Sequence, residues 1–577
     1  MSFNLFITKI DKKYYRTPKK LFLGKWCINE VINTKKIGDY EIVKYHWNDS
    51  EKLNKDYKFL YSLYYKLLKA LTLKLNQMHQ TNKKERYWHI IIGSWLERYL
   101  VCSFDRWESI SQAFDNFDIS KIFYKQINYK NLIPSDISEF NKFTQTDIWN
   151  NHLISEIIKF NFKKINLEEM PFKENSDEKK YQLNKNMKNA PFYLKFLDKC
   201  ISYLQKNPKL VLYKTYLGKE NNVLLYLKTK TIPRLFLEFE KKINLPKPID
   251  REKINFSFQI TNEFEKFITK NIFKNLPVTY LEGYKTVDSF CKNISYNPEL
   301  IISAMSDRYD LLSIWIADKT SYKTKYFFSE HGGIIEDLPK FDNFIKKSDC
   351  YLSWNLSDKQ NTFQISPQFY TKKIHKRKLN DGKYLYIILT GTTLYNTIAH
   401  YDLKSDQFLE TYDKLQSLKN LPNQIKDNLK FKLHPGSKIW SMKERIEDNF
   451  GKNMISKYVK MNDVFKTSKI LLNIDFQTAF YESMNSGKPT IVYTDRKFTN
   501  NINPRIKKIF EKFIEENIIF DNFENLKKHL DKIWDDPLNW WESDTINNLK
   551  KEFRYCCSKN NYKKFSNEIL ELKNKYD

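Results

Sequence analysis

The stretch Phe465-Lys-Thr-Ser-Lys-Ile-Leu-Leu-Asn-Ile-Asp-Phe-Gln-Thr-Ala-Phe-Tyr-Glu-Ser-Met-Asn-Ser-Gly-Lys-Pro-Thr-Ile-Val-Tyr-Thr-Asp495 decides the fold. The apolar run Ile470 to Ile474 reads as a buried strand. Asp475 ends it, and Gln477 and Thr478 follow. From Thr478 to Ser486 the spacing is helical, with Ala479, Phe480 and Met484 able to share a face. Gly487 stops that helix and Pro489 forbids its continuation. Thr490 to Tyr493 is a second short strand. Strand, polar turn, helix, strand make a βαβ unit, whose ligands sit at the carboxyl end of the strand and the amino end of the helix. Asp475, Gln477 and Thr478 occupy that place. An ordinary helix-capping turn uses the same residue types, so the segment alone leaves both readings open.

Two neighbouring stretches break the tie. Lys383 to Leu389 is an apolar strand that runs into Thr390-Gly391-Thr392-Thr393, a loop whose backbone N–H groups and hydroxyls suit a phosphate. It is not a P-loop, because no Gly-Lys-Ser/Thr follows. Leu429 to Leu433 is a strand that ends on His434-Pro435-Gly436, where proline fixes the turn. Three polar turns on one edge of one sheet are more specific than any of them singly.

Upstream, Glu299 to Ala304, Tyr326 to Ser329 and Cys350 to Trp354 read as strands, and Tyr309 to Ala317 as a helix. The alternation predicts a parallel sheet covered by helices. Val278 to Leu281, Leu210 to Tyr213 and Val223 to Leu227 are further candidate strands. Glu330-His331-Gly332-Gly333 stands at a strand end. Its glycines allow close approach of a ligand or positive φ, and its carboxylate and imidazole are general-base candidates. Leu53 to Gln77 is a long amphipathic helix. It leads into a segment where Arg86, Arg98, Asp105 and Arg106 lie among Trp88, Trp95 and Trp107. Arginine is rare elsewhere, so this cluster is a candidate grip for an anion or a sugar ring, although core packing is the better account of any single residue in it. Residues 141–274 carry no motif and read as a helical insertion.

The chain of 577 residues is too long for one core. Its 41% hydrophobic content excludes wholesale disorder. The net charge of +29 is almost all lysine spread along the chain, whereas a nucleic-acid binder concentrates Arg and Lys in a stripe. Nucleic acid is therefore disfavoured, and attraction to an anionic membrane surface is expected. Seven scattered cysteines without a CxxC pair argue against zinc and a disulfide framework, and fit a reducing cytoplasm. No run approaches 18 apolar residues, and Met1 to Ile10 has the wrong charge order for a signal peptide.

The order strand, His-Pro, strand, Asp-x-x-Thr, Glu, Gly-Lys-Pro resembles the C-terminal half of GT-B glycosyltransferases. More narrowly it resembles bacterial enzymes using cytidine-nucleotide donors: sialyl- and Kdo-type transferases and teichoic-acid glycerophosphotransferases. Arg-Tyr-Trp and Gly-x-Trp-Leu early, Glu-His-Gly-Gly midway and His-Pro late are also similar to surface-antigen (O-antigen type) transferases. The likeness spans about 1–110 and 276–500. It implies that His434 and Pro435, with Gln477 and Thr478, contact donor phosphate, Gln477 standing where those families have serine. It places Glu482 near the ribose, and makes Glu330-His331-Gly332 the counterpart of a catalytic Trp-His-Gly turn.

The expectation is therefore an α/β, GT-B chain with two Rossmann-like domains facing across a cleft. Residues 1–377 would form the acceptor side with the insertion at about 141–274, 378–540 the nucleotide-sugar donor domain, and 541–577 C-terminal helices. Donor contacts would be Gly391, Thr392, Thr393, His434, Pro435, Gln477, Thr478 and Glu482. Catalysis would use Glu330 or His331, and the acceptor would meet Arg86, Trp88, Trp95, Asp105 and Arg106. The resemblance implies no metal and no cofactor beyond the nucleotide-sugar co-substrate, and a carbohydrate or lipid-linked acceptor as the other partner. Rival readings are a cytidine-nucleotide-dependent glycerophosphotransferase, a nucleotide-sugar epimerase of the same shape, and a nucleic-acid or anionic-lipid binding protein. The expected location is the cytoplasm, with peripheral attachment to the inner membrane.

Overall fold

The computed structural model describes residues 2–31, 34–162, 165–172, 179–333, 340–366, 382–397, 405, 407–495, 502–557 and 562–576. Three five-stranded sheets, all parallel, follow one another along the chain. The first contains β1 (Phe3–Phe6), β2 (Lys20–Phe22), β3 (Tyr40–Ile42), β4 (Ile119–Tyr124) and β5 (Asn166–Glu169), in the order β3-β2-β1-β4-β5. Then come β6 (Gln182–Leu183), β7 (Leu210–Tyr213) and β8 (Ile243–Asn244), with β6 and β8 forming a small antiparallel ribbon. The second sheet joins β7 to β9 (Leu300–Ser303), β10 (Lys325–Ser329), β11 (Cys350–Ser353) and β12 (Thr362–Gln364), ordered β12-β11-β10-β9-β7. The third has β13 (Tyr384–Ile388), β14 (Leu429–Lys432), β15 (Ser468–Asn473), β16 (Thr490–Tyr493) and β17 (Ile519–Phe520), ordered β14-β13-β15-β16-β17.

The second and third sheets are the two Rossmann-like units of the expected α/β architecture. Their inner strands β9, β11 and β16 are buried at every residue, because helices cover both faces and leave no solvated side to alternate towards. The first sheet is additional, so residues 1–377 hold two parallel sheets. The segment 141–274 is not a separate helical insertion: it supplies β5 to the first sheet and β7 to the second. The expected boundary at 377–378 lies outside the described residues.

Two strand expectations are corrected. Val278–Tyr280 is a 3-10 turn, pinned when Val278 N–H donates to Pro134 O at 2.8 Å. Val223 to Leu227 lies in the helix Lys219–Lys228, where Val223 and Leu227 face solvent and Leu225 faces the core. Helices Ser50–His79 and Glu85–Asn116 form a long hairpin. Asp49 caps the first through Glu51 and Lys52 N–H, and Gln80, in the left-handed region, ends it. The C-terminal helices are Asp544–Cys557 and Tyr562–Lys575.

Candidate functional site

Along the third sheet the chain runs from β13 outward to β14, then returns to the other side of β13 as β15. Connections leave β13 and β15 in opposite directions, so the topological switch point lies at their carboxyl ends, where open α/β sheets take ligands. The residues singled out by sequence meet there. Thr390 Oγ1 donates to Gln477 Oε1 at 3.3 Å, tying the β13 turn to the β15 turn. The His434 imidazole, at the end of β14, lies against Gly391, where any Cβ would collide with Nδ1. Glycine is required at 391 for that packing. Thr393 Oγ1 donates to Tyr395 O at 2.6 Å and closes the loop. Asp475 Oδ1 accepts Gln477 N–H at 3.3 Å, so Asp475 shapes the turn. Helix Thr478–Asn485 starts immediately after and aims its N-terminus at the switch point, with Glu482 one turn along. Desolvation, then the nearby Lys432 ammonium, hold the His434 pKa below its ordinary value. His434 is therefore held towards its neutral form.

The second sheet presents the opposite edge, and Glu330 is the first correction there. It is buried, and its carboxylate accepts Trp354 N–H at 2.6 Å and Ser353 Oγ–H at 3.0 Å. Those bonds lash the end of β10 to the end of β11, so Glu330 serves as a structural tie between them. His331, its neighbour, is half-buried. Its Nε2 accepts from Arg308 Nη2 at 2.9 Å, and Tyr216 stands edge-on with ring centroids 6.0 Å apart. Tyr216, Arg308 and His331 follow β7, β9 and β10, three adjacent strands. Tyr216 holds φ at 56°, a conformation non-glycine residues adopt at a cost. Sequence reasoning missed Arg308 and Tyr216. The available signal for Arg308 was a scarce arginine just beyond a strand end.

The two edges touch. Gly333 N–H donates to Thr478 Oγ1 at 3.2 Å. A Cβ at Gly333 would lie 2.5 Å from the Tyr481 ring, and one at Gly332 would lie 3.0 Å from Thr478 Oγ1. Of the two uses open to these glycines, close approach is the one realised. The His331 loop thus sits directly over the start of helix Thr478–Asn485.

The expected acceptor set is a second correction. Trp88 and Trp95 are fully buried, donating to Asn76 Oδ1 at 2.9 Å and Asn275 O at 3.0 Å. Arg86 pairs with Asp349 at 2.9 Å. Asp105 and Arg106 are about 1% exposed and bonded to each other at 2.8 Å. None of these five lines the gap between the edges. Asp105 and Arg106 instead reach the loop 390–397 from behind. Arg106 Nη1 donates to Asn396 O at 2.5 Å, Nε to Asn150 Oδ1 at 2.8 Å, and the guanidinium lies over the Tyr395 ring. The Tyr395 hydroxyl bonds Asp147. Desolvation pushes the Asp105 carboxyl up, but Arg106, His46 and Tyr45 overcome it and leave its pKa below the ordinary value. The first sheet's own switch point, between β1 and β4, is filled by Asn151, which donates to Thr8 Oγ1 and accepts Lys125 N–H. That sheet serves as a backing for the loop 390–397.

Among the described residues no group of three His, Cys, Asp or Glu is placed to hold a metal ion, and no helix is long and apolar enough to cross a membrane.

The model of the LIC12162 family transferases matches residues 3–570. The chain belongs to that family. It is a transferase. No curated protein matches the sequence. Among solved structures, a glycosyltransferase from Rickettsia africae ESF-5 is 14% identical, covering 55% of this chain and 88% of that one, with a TM-score of 0.29. A UDP-N-acetylglucosamine 2-epimerase is 11% identical over 64% and 97%, with a TM-score of 0.33. WaaG, a glycosyltransferase involved in lipopolysaccharide biosynthesis, is 10% identical over 63% and 99%, with a TM-score of 0.28. The family rests on the family model, and the fold on the sheets themselves.

Proposed function

We propose that this transferase is a glycosyltransferase taking its sugar from a nucleotide-activated donor, a CMP-linked acidic sugar, and passing it to a hydroxyl of a cell-surface carbohydrate or lipid-linked acceptor. The carrying observation is the meeting of Thr390, Gly391, His434, Gln477 and Thr478 at one switch point, directly under the His331 loop. In this reading the N–H groups of the 390–393 loop, the His434 imidazole and the N-terminus of helix Thr478–Asn485 hold the donor phosphate. Glu482 takes the ribose. The acceptor oxygen attacks the anomeric carbon, the bond to the phosphate oxygen breaks, and the electron pair leaves on CMP. The acceptor proton passes to His331 Nε2. Phosphate charge grows as that bond breaks, so the surrounding donors stabilise the transition state more than the ground state.

Nε2 is engaged by Arg308 in the free protein. Arg308 must turn to an anionic group of the substrate for the base to be released. The half-buried Arg98 neighbours it, lowered in pKa by desolvation and by the Arg308 charge. Among the described residues neither guanidinium has an ion-pair partner, which favours an acidic sugar.

A thermal-shift panel of CMP, CDP, UDP and GDP tests the reading on the wild type and on His434→Ala. Stabilisation by a cytidine nucleotide that the variant loses is the expected result. No shift with any of the four would refute a donor site here. Donor turnover without acceptor, epimerised and not transferred, would assign the fold to the epimerase reading.

A further inference from the structure

The helix Phe192–Leu204 is docked the reverse of the usual way. Its one buried side chain is a charge, Asp198. Asp198 Oδ1 accepts the N–H groups of Leu235 and Phe236 at 3.0 and 3.3 Å, Oδ2 accepts that of Leu237 at 3.3 Å, and Arg234 lies 3.6 Å away. The polar side fastens the helix to the protein. The apolar side faces out: Phe192 is 81% exposed and Leu204 77%, with Tyr193, Phe196, Leu197 and Tyr203 exposed between them. At 100° per residue these six fall within one half of the helix circumference. Ile232 and Leu235 are also exposed and extend the surface, Ile232 N–H donating to Gln205 Oε1 at 2.8 Å. A soluble chain does not ordinarily leave a contiguous apolar face of this size in water.

The surroundings name the occupant. Between residues 185 and 230 there are ten lysines against Asp198 and Glu220. Lys188, Lys195, Lys199 and Lys206 are exposed around the apolar face. A second copy docked here would set two lysine rims against each other, a like-charge contact. A bilayer with anionic headgroups satisfies both features, taking the Phe, Tyr and Leu side chains at the acyl boundary and the lysines at the phosphates.

We propose that this face seats the protein on an anionic lipid surface, with the helix Phe192–Leu204 lying in the headgroup plane. The inference stands apart from the donor chemistry, since no residue of the switch point belongs to the face. Flotation of the full chain with vesicles of phosphatidylcholine alone, or with phosphatidylglycerol added, tests it. The wild type is expected to float with the anionic vesicles and to dissociate as salt rises. The double variant Phe196→Asp/Leu204→Asp should bind them at least about tenfold more weakly, with an unchanged melting temperature and nucleotide response, because both side chains are already in water. Lys195→Glu/Lys199→Glu should weaken binding and lower its salt dependence. Absence of wild-type flotation would overturn the proposal. So would undiminished flotation of Phe196→Asp/Leu204→Asp, or a concentration-dependent dimer in light scattering that this variant abolishes.

Discussion

Glu330 and His331 are neighbours in sequence with opposite fates, and the difference lies in what already occupies their lone pairs. One oxygen of Glu330, Oε2, accepts both donors of the adjacent strand end, so Glu330→Leu, which has no acceptor, leaves the Ser353 hydroxyl and the Trp354 N–H without it. An unmade buried bond of this kind costs about 1–3 kcal/mol. The expected outcome is a lower urea midpoint with the pH–rate profile unmoved; a displaced profile would return Glu330 to the chemistry. His331→Gln should instead lower kcat roughly 10²–10⁴-fold while donor affinity and stability hold. Loss of donor affinity in that variant would argue against a base. A second residue-scale test concerns Asp310, which is buried, accepts Tyr280 O–H at 2.7 Å and Ile137 N–H at 3.0 Å, and stands near Asp136. Desolvation, then the Asp136 charge, push its pKa up to about 8 from 3.8. Between those values the folded chain keeps a proton that the unfolded chain has lost. This group's stabilisation is complete below the unfolded pKa and disappears as pH rises through about 8, a change on the order of a few kcal/mol. Denaturation midpoints across that window should fall more steeply in the wild type than in Asp310→Asn. Parallel slopes would exclude Asp310 as the source.

The turns were more legible at the scale of elements than the reasons for them. Strands β7 and β16 read correctly because a strand covered on both faces is an unbroken apolar run. The edge strand β5 (Asn-Leu-Glu-Glu) was invisible, because half of it faces solvent and its composition is that of a loop. Val223 to Leu227 misled for the same physical reason in reverse: two of its apolar side chains are exposed, so the run carried no information about a core. The Arg86–Arg106 cluster shows the sharper limit. A rare arginine beside aromatics marks a demanding electrostatic job, but sequence does not say whether the job is a ligand or the back of another loop. Arg106 holds Asn396 O and stacks on Tyr395, three to four residues beyond Thr392. Arg106→Lys keeps the charge beside Asp105 but loses the planar fork. Nucleotide affinity should weaken about tenfold, near 1.4 kcal/mol, with kcat at saturation little changed. A fall in kcat with affinity intact would deny Arg106 a positioning role for the loop. Arg106→Met is the harsher control, since it strands a buried carboxylate at a cost of about 3–5 kcal/mol.

For the molecule as a whole, the question is what keeps the two facing edges in register. The Gly333–Thr478 bond is one hydrogen bond and cannot do it alone. Apolar packing adds to it, and one cluster ties both units to the C-terminal helices. It contains Leu300, Phe327 and Leu352 of the second sheet, Phe476, Phe480 and Val492 of the third unit, and Phe553, Phe565 and Ile569 of the C-terminal helices. Helix Asp544–Cys557 packs on Pro504–Glu515 beside the third sheet, and Cys556 O accepts Leu356 N–H at 2.9 Å beyond β11. The last helix crosses fully to the second sheet. Lys573 pairs with Glu299 at 2.5 Å, and Tyr576 lies edge-on to Phe327. The tail is thus a clasp between the unit that carries the His434 and Thr478 turns and the unit that carries His331. Ending the chain after residue 560 removes the buried Phe565 and Ile569, at about 1.5–3 kcal/mol each, and uncovers part of β10. The shortened protein should still contain both edges, yet melt earlier and lose cooperativity, with separate transitions for the two units. If the proposed donor contacts are right, donor binding should survive better than transfer, because those contacts lie within the third unit whereas His331 meets them only when the clasp holds. One transition at the wild-type temperature, with undiminished transfer, would show that the edges are aligned by the sheets themselves.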